Sequence, residues 1–204
     1  MNQVSSFNKK PKTARGRKTR NKLLEAAEHE FGEKGYHEAG ISGITYRAGV
    51  ALGTFYTYFE SKEEIFRALV TYMSLRTREW IGKRVSEAPN RLAAERLGIE
   101  AYIEFARKHK AIYRIMTEAE FVAPREYRQH YQGFATAYVD NLEKAGDKGE
   151  IRNGNYEVWS WAIMGISVFL GMRYADWDDS ESLTDLADTV MDLIAKGISP
   201  ETEK

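Results

Sequence analysis

Hydrophobic positions recur at helical spacing along most of the 204-residue chain, and no stretch alternates apolar and polar residues convincingly as a strand would. Leu23, Leu24, Ala27 and Phe31 share one face, so a first helix is expected from about Arg17 to Lys34, with Gly35 as a left-handed cap. Ile41, Ile44 and residues 46–48 fit a short second helix that Gly40 begins and Gly49 ends. Val50 plugs the corner, and a third short helix runs from Leu52 to Tyr58. Ser61 followed by Glu64 makes the S-x-x-E box that starts a fourth helix, whose stripe of Ile65, Phe66, Leu69, Val70, Met73 and Trp80 reaches about Val85.

Pro89 interrupts the pattern, and Leu92, Ile99, Tyr102, Ile103 and Ala106 then sketch a fifth helix. Ala111 to Met116 fits a short sixth, and Glu118 to Pro124 a loop. Tyr127, Tyr131, Phe134, Tyr138 and Leu142 line one face of a seventh helix, which Gly146 closes. Asn155 caps an eighth from Tyr156 to Trp177, and Leu183, Leu186, Ala187, Val190, Leu193 and Ile194 carry a ninth before Gly197. The expected fold is therefore all-α, about nine helices without an internal repeat. The uncharged run from Val158 to Met172 has 15 residues, fewer than the roughly 18 to 20 that span a bilayer, and reads as a buried helix.

Charge sharpens the picture only when the chain is divided. The 30 basic and 30 acidic residues cancel, but residues 1–62 hold 11 Lys and Arg against 6 Asp and Glu, which leaves an acidic remainder. Lys9, Lys10, Lys12, Arg15, Arg17, Lys18, Arg20 and Lys22 crowd the front into a basic arm suited to phosphates or a minor groove, with a solvated tail as the plainer alternative. The absence of cysteine excludes disulfides and thiol chemistry. No signal peptide is apparent, so the chain is expected to be cytoplasmic, without a membrane partner.

Candidate chemistry is sparse. His29, His37, His109 and His130 are scattered, none three or four residues from another. Asp176, Asp178, Asp179 and Glu181 cluster without the glycine and spacing of a calcium loop. No phosphate-binding loop or nucleophile elbow is present. Neither an enzyme nor a bound cofactor or metal is expected. The pair of short helices around Gly49 instead reads as a helix-turn-helix, its second helix offering small and hydroxyl-bearing residues to a groove.

The run AGVALGTFYTYFESKEEIF is similar to the signature of the tetracycline-repressor (TetR) family of bacterial transcription factors, with A-G-V, G-T-x-Y-x-Y-F and S-K-E in order. Four positions depart from that pattern: Gly40 for a Thr or Ser, Thr45 for a small Ala, Ala51 for a capping Ser, and Leu52 for a polar or basic residue. Losing the Ser cap should cost about 0.5 to 2 kcal/mol. By position, Thr54, Tyr56 and Lys62 are assigned to phosphates, Leu52, Gly53 and Thr57 to base edges, and Arg17 to the backbone or minor groove. Thr45 and Tyr58 complete the DNA-facing set, Tyr58 divided between packing and phosphate.

The implied organisation is a basic arm (1–16), a DNA-binding domain (17–62) and an effector-binding and dimerisation domain (63–204). The resemblance implies an effector pocket among helices four to eight. Tyr72, Tyr102, Phe105, Tyr113 and Phe121, with Tyr127, Tyr131, Phe134, Tyr138 and Trp159, are its candidates, core packing being the alternative. Arg114 and Arg173 are the cations to inspect for an anionic effector. Trp161, Gly165, Val168, Phe169 and Met172, opposed to Leu186, Val190 and Leu193, are expected to pair with a second chain as a four-helix bundle. The expected function is repression at a palindromic operator, relieved by a small hydrophobic, acyl or aromatic effector. A helical adaptor that binds protein through the basic head, or a small helical enzyme, are the rival readings.

Overall fold

A computed structural model describes residues 11–198, and among them nine α-helices and one π-helical segment follow one another with no strand. They are α1 (Ala14–Glu38), α2 (Ile41–Ala48), α3 (Leu52–Tyr58), α4 (Lys62–Val85), α5 (Arg91–Lys108), α6 (Ala111–Val122), α7 (Pro124–Asp147), α8 (Tyr156–Gly171), the π segment Met172–Trp177, and α9 (Leu183–Ile198). Lys9 and Lys10 of the expected arm lie outside the described residues. Helix α1 already begins within the span assigned to that arm, capped by the Thr13 hydroxyl, which accepts from Gly16 N–H at 3.1 Å.

The helices form two compact units. One comprises residues 11–73 and 111–127, the other 74–110 and 128–198, so α4 and α7 each supply residues to both. In the first unit Leu23, Leu24 and Phe31 of α1 are buried with Ile44, Phe55 and Phe59, and with Ile65, Phe66 and Leu69 of α4. Phe66 meets Phe31 edge-on, ring centroids 5.0 Å apart.

Helix α6 also belongs to this unit, a departure from the expected boundary after residue 62. Its cause is a break in α1. Gly35 has φ 79 and ψ 168, a positive φ that glycine adopts without strain, but not the expected left-handed cap, and a further helical turn follows. The break strands backbone groups that side chains from elsewhere satisfy. Arg114 of α6 donates to the Gly32 and Glu33 carbonyls at 3.3 and 2.9 Å, and Glu118 accepts from Tyr36 N–H at 2.8 Å. The expected loop at residues 118–124 is consequently helix, with Pro124 at the first position of α7, where its missing N–H costs nothing.

In the second unit α5 packs against α8, the π segment and α9. Buried Ile99, Ile103 and Phe105 of α5 belong to the same core as Ile163 of α8 and Ala187 and Ile194 of α9. Asn155 caps α8 as expected, accepting from Val158 N–H at 3.1 Å. Two terminations differ. Helix α7 passes through Gly146 to Asp147, and the single eighth helix expected as far as Trp177 leaves α-geometry after Gly171. The Tyr174 carbonyl on that π segment accepts from Arg107 Nε at 3.0 Å.

Candidate nucleic-acid interface and ligand cavity

The turn between α2 and α3 rests on Gly49, at φ 64 and ψ 40 in the left-handed region. Its N–H and that of Val50 return to the last carbonyls of α2, Val50 bonding Thr45 at 3.1 Å. Phe55 and Phe59 are buried, ring centroids 5.7 Å apart, and hold one side of α3 to the unit. The rest of α3 faces solvent: Leu52 is 49% exposed and Tyr56 50%, Gly53 and Thr57 are open, and Thr54 is half-buried. A Cβ added at Gly53 would meet nothing within 4 Å, so another molecule can approach the backbone there. Helix α3 carries no charge, and phosphate affinity must come from residues around it.

Two residues assigned to DNA have other work. Thr45 is 5% exposed and its hydroxyl donates to the Ser42 carbonyl, which removes it from the contact surface. Lys62 spends its ammonium on the carbonyls of Tyr36, His37 and Ala39, at 2.8, 3.1 and 3.0 Å, and so acts as a cation at the end of α1. Tyr58 is half-buried, its hydroxyl near the start of α1, where a Cβ added at Gly16 would lie 3.6 Å away. Arg17 is exposed on α1. Tyr46, outside the expected DNA-facing set, is 88% exposed on α2, one turn before the glycine.

The α2 helix is locked to α1 through Glu30. This carboxylate is buried, and accepts from Lys34 Nζ at 2.6 Å and Arg47 Nε at 2.8 Å. Burial pushes Glu30 up, but the bonds from Lys34 and Arg47 outweigh it and hold the group below the ordinary carboxylate range. Arg47 also pairs with Glu33.

The second unit contains a cavity of about 190 Å³. Tyr102 of α5 and Tyr131, Phe134 and Tyr138 of α7 line it, four of the ten candidates. The other six do not. Tyr72, Tyr113 and Tyr127 belong to the first unit, as does Phe121, which is 80% exposed. Phe105 is buried against His109, ring centroids 4.4 Å apart, and Trp159 packs on Tyr156 with Arg152 over its ring. Both suspected cations are employed elsewhere, Arg114 at the break in α1 and Arg173 with Asp178 at 3.4 Å. Val168, expected at a dimer contact, is among the residues that line the cavity.

The charged groups in and behind the cavity wall were not anticipated. Arg91 Nε lies 2.7 Å from Glu95, which is fully buried and also accepts from the Tyr138 hydroxyl. Burial raises Glu95 above the usual carboxylate range against the opposing pull of Arg91, and burial beside Glu95 pushes the Tyr138 phenol well above its ordinary value. His130 is 6% exposed; burial, assisted by the charge of Arg78, lowers it to about 4. Among the described residues its Nδ1 has no hydrogen-bond partner. Arg78 donates to the Ser74 carbonyl at 3.3 Å and lies over Phe134, and no carboxylate pairs with it among the described residues. Periodicity missed these groups because each occupies a position that a helix equally offers to solvent.

On α8 and α9 several large apolar side chains are exposed, among them Trp161 at 44%, Phe169 at 68% and Leu193 at 68%. Gly165 has open space around it, while Met172, Leu186 and Val190 are half-buried. No described helix is long and apolar enough to cross a membrane, and no three His, Cys, Asp or Glu among the described residues gather as for a metal ion.

Residues 23–69 match the family described as bacterial regulatory proteins, tetR family. YdgC, an HTH-type transcriptional regulator of Bacillus subtilis, is 32% identical over 137 residues, 64% of this chain and 67% of that protein. The fatty acid metabolism regulator protein of the same organism is 26% identical across 86% of this chain and 93% of its own. Among solved structures, the transcriptional regulator FadR of Bacillus subtilis in complex with stearoyl-CoA superposes with a TM-score of 0.75 at 23% identity, over 87% of this chain and 98% of that one.

Proposed function

The chain belongs to the tetR family of bacterial regulatory proteins and is a DNA-binding transcriptional regulator, and on that premise we propose that it acts as a homodimeric repressor released from a palindromic operator by an acyl or aromatic effector. The observation that carries the DNA role is the uncharged, outward face of α3, where Leu52, Gly53, Tyr56 and Thr57 are exposed while Phe55 and Phe59 anchor the helix from behind. Leu52 suits a thymine methyl and offers guanine no donor. Tyr56 and Thr54 hydroxyls reach phosphates, with Arg17 and neighbouring basic residues of α1 adding affinity without base preference.

The apolar cavity supports an effector role, and the stearoyl-CoA bound by the FadR relative supports an acyl compound. Helix α4 supplies Ile65, Phe66 and Leu69 to the core of the first unit and Arg78, Ile81 and Val85 to the cavity wall of the second. Effector binding against one end of that helix is thus felt along a continuous backbone. The exposed Trp161, Phe169 and Leu193 supply the apolar surface for dimerisation. Two copies of one short reading helix match an inverted repeat.

Selection of binding sites from a pool of random duplexes tests this reading. Enrichment of an inverted repeat, bound with an affinity that falls steeply with salt, is the expected result. Recovery of no preferred sequence at any salt concentration would remove the operator-binding role.

A further inference from the structure

We propose that the cavity of the second unit takes a small free carboxylic acid, its carboxylate held by Arg78 beside His130 and its compact apolar body lying among Tyr102, Phe134, Met164 and Val168. The inference rests on the regulator reading above and narrows its effector from acyl or aromatic compounds in general to a free acid of modest size.

Charge balance is the first ground. Two guanidinium groups line the cavity, and the buried carboxylate of Glu95 neutralises Arg91 at 2.7 Å. Arg78 has no such partner among the described residues, only the Ser74 carbonyl and the face of Phe134. A ligand carboxylate entering the cavity meets this guanidinium without a competing protein carboxylate. A thioester carbonyl is neutral and leaves the charge in place.

The second ground is His130. It is 6% exposed, lines the same cavity, and its Nδ1 has no partner among the described residues. Buried polar atoms are satisfied in the great majority of cases, so a bare ring nitrogen here points to a ligand atom. In the tautomer that carries hydrogen on Nδ1, the ring donates to one carboxylate oxygen while Arg78 holds the other. Helix α7 also makes room for the guanidinium: a Cβ added at Gly133 would lie 2.6 Å from Arg78 Nη1. Glycine inside a helix is less favourable than alanine. The close approach of Arg78 gives that cost a purpose.

Size is the third. A cavity of about 190 Å³ falls below the roughly 300 to 1,000 Å³ of clefts for drug-sized ligands. A short acid such as hexanoate suits a site of that size.

Titration calorimetry on the full chain with hexanoate, hexanol, hexanoyl-CoA and palmitate tests the proposal. Hexanoate should bind one per chain, and hexanol about thirtyfold more weakly, as expected for loss of a buried charge pair. Arg78→Gln should lose a similar factor for hexanoate, and Arg78→Lys should recover part of it. Gly133→Ala keeps the charge but displaces its head, and should weaken hexanoate binding in a protein that is no less stable. Equal binding of hexanol and hexanoate, tighter binding of hexanoyl-CoA or palmitate, or indifference to both Arg78→Gln and Gly133→Ala would overturn it. An operator-release assay separates the two readings. Hexanoate that binds through Arg78 yet releases no DNA leaves the acid site standing and removes induction; release by hexanoyl-CoA without hexanoate binding keeps induction and removes the acid site.

Discussion

Lys62 shows how one side chain is claimed by two chemistries. In the sequence it follows Ser61 as part of the S-K-E run and invites a phosphate; in the fold its three donors are taken by the carbonyls beyond the break in α1. Lys62→Met should therefore cost of the order of 2 kcal/mol in urea unfolding, since bonds to a charged group contribute about 1.5 to 3 kcal/mol each before compensation. The slope of DNA affinity against salt should stay the same; a fall of about one would return Lys62 to the phosphates. Tyr56→Phe should weaken all duplexes about equally, whereas relaxation at a single base pair, read by competition gel shift, would make Tyr56 a base contact. His130 gives a pH signature. Its folded value of about 4 lies below the unfolded 6.5, so the unfolded chain binds the extra proton between them. The stabilisation is complete above about pH 6.5 and is lost as pH falls toward 4, at most about 3 kcal/mol. His130→Leu should flatten that part of the curve in unfolding midpoints measured from pH 7.5 to 4.5.

At the scale of elements, local rules explain the helix-turn-helix and falter where distant groups decide. Gly49 sits in the left-handed region that its place between two short helices demanded. Gly49→Ala should cost about 1 to 2 kcal/mol, the penalty of that conformation for other residues, with a visible loss in thermal midpoint. Ser61 and Asn155 cap α4 and α8 as their hydroxyl and amide groups suggested, with Glu64 N–H bonded to Ser61 Oγ at 3.1 Å. By contrast, α6 outruns its apolar pattern because Glu118 is recruited by the Tyr36 N–H, 82 residues away in the chain. No window of local sequence holds both partners. The π segment after Gly171 is equally invisible to a 3.6-residue period.

For the whole molecule, the basic front and acidic back match a division of labour between DNA and effector. The exposed apolar residues of α8 and α9 belong to the proposed dimer. Gly165 is open within the chain, so Gly165→Leu should leave protomer stability unchanged while weakening the dimer constant measured by sedimentation. An unaffected dimer would place the interface elsewhere. Weaker dimerisation should also weaken operator binding, because two heads on one palindrome act with a shared effective concentration.

The chain by itself determined the all-helical class, the reading helix and its turn, because those depend on periodicity, a left-handed glycine and caps that lie within a few residues of one another. Four of the cavity's aromatics were legible for the same reason, as a stripe on one helix face and one tyrosine beside it. Only tertiary structure decided that Arg78, Arg91 and His130 converge on that cavity with Glu95 behind Arg91, and that Lys62 and Arg114 close a break in α1. The physical reason is that a charged residue on a helix carries no periodic signal of its own. Its role is fixed by which desolvated group, far along the chain, folding sets against it.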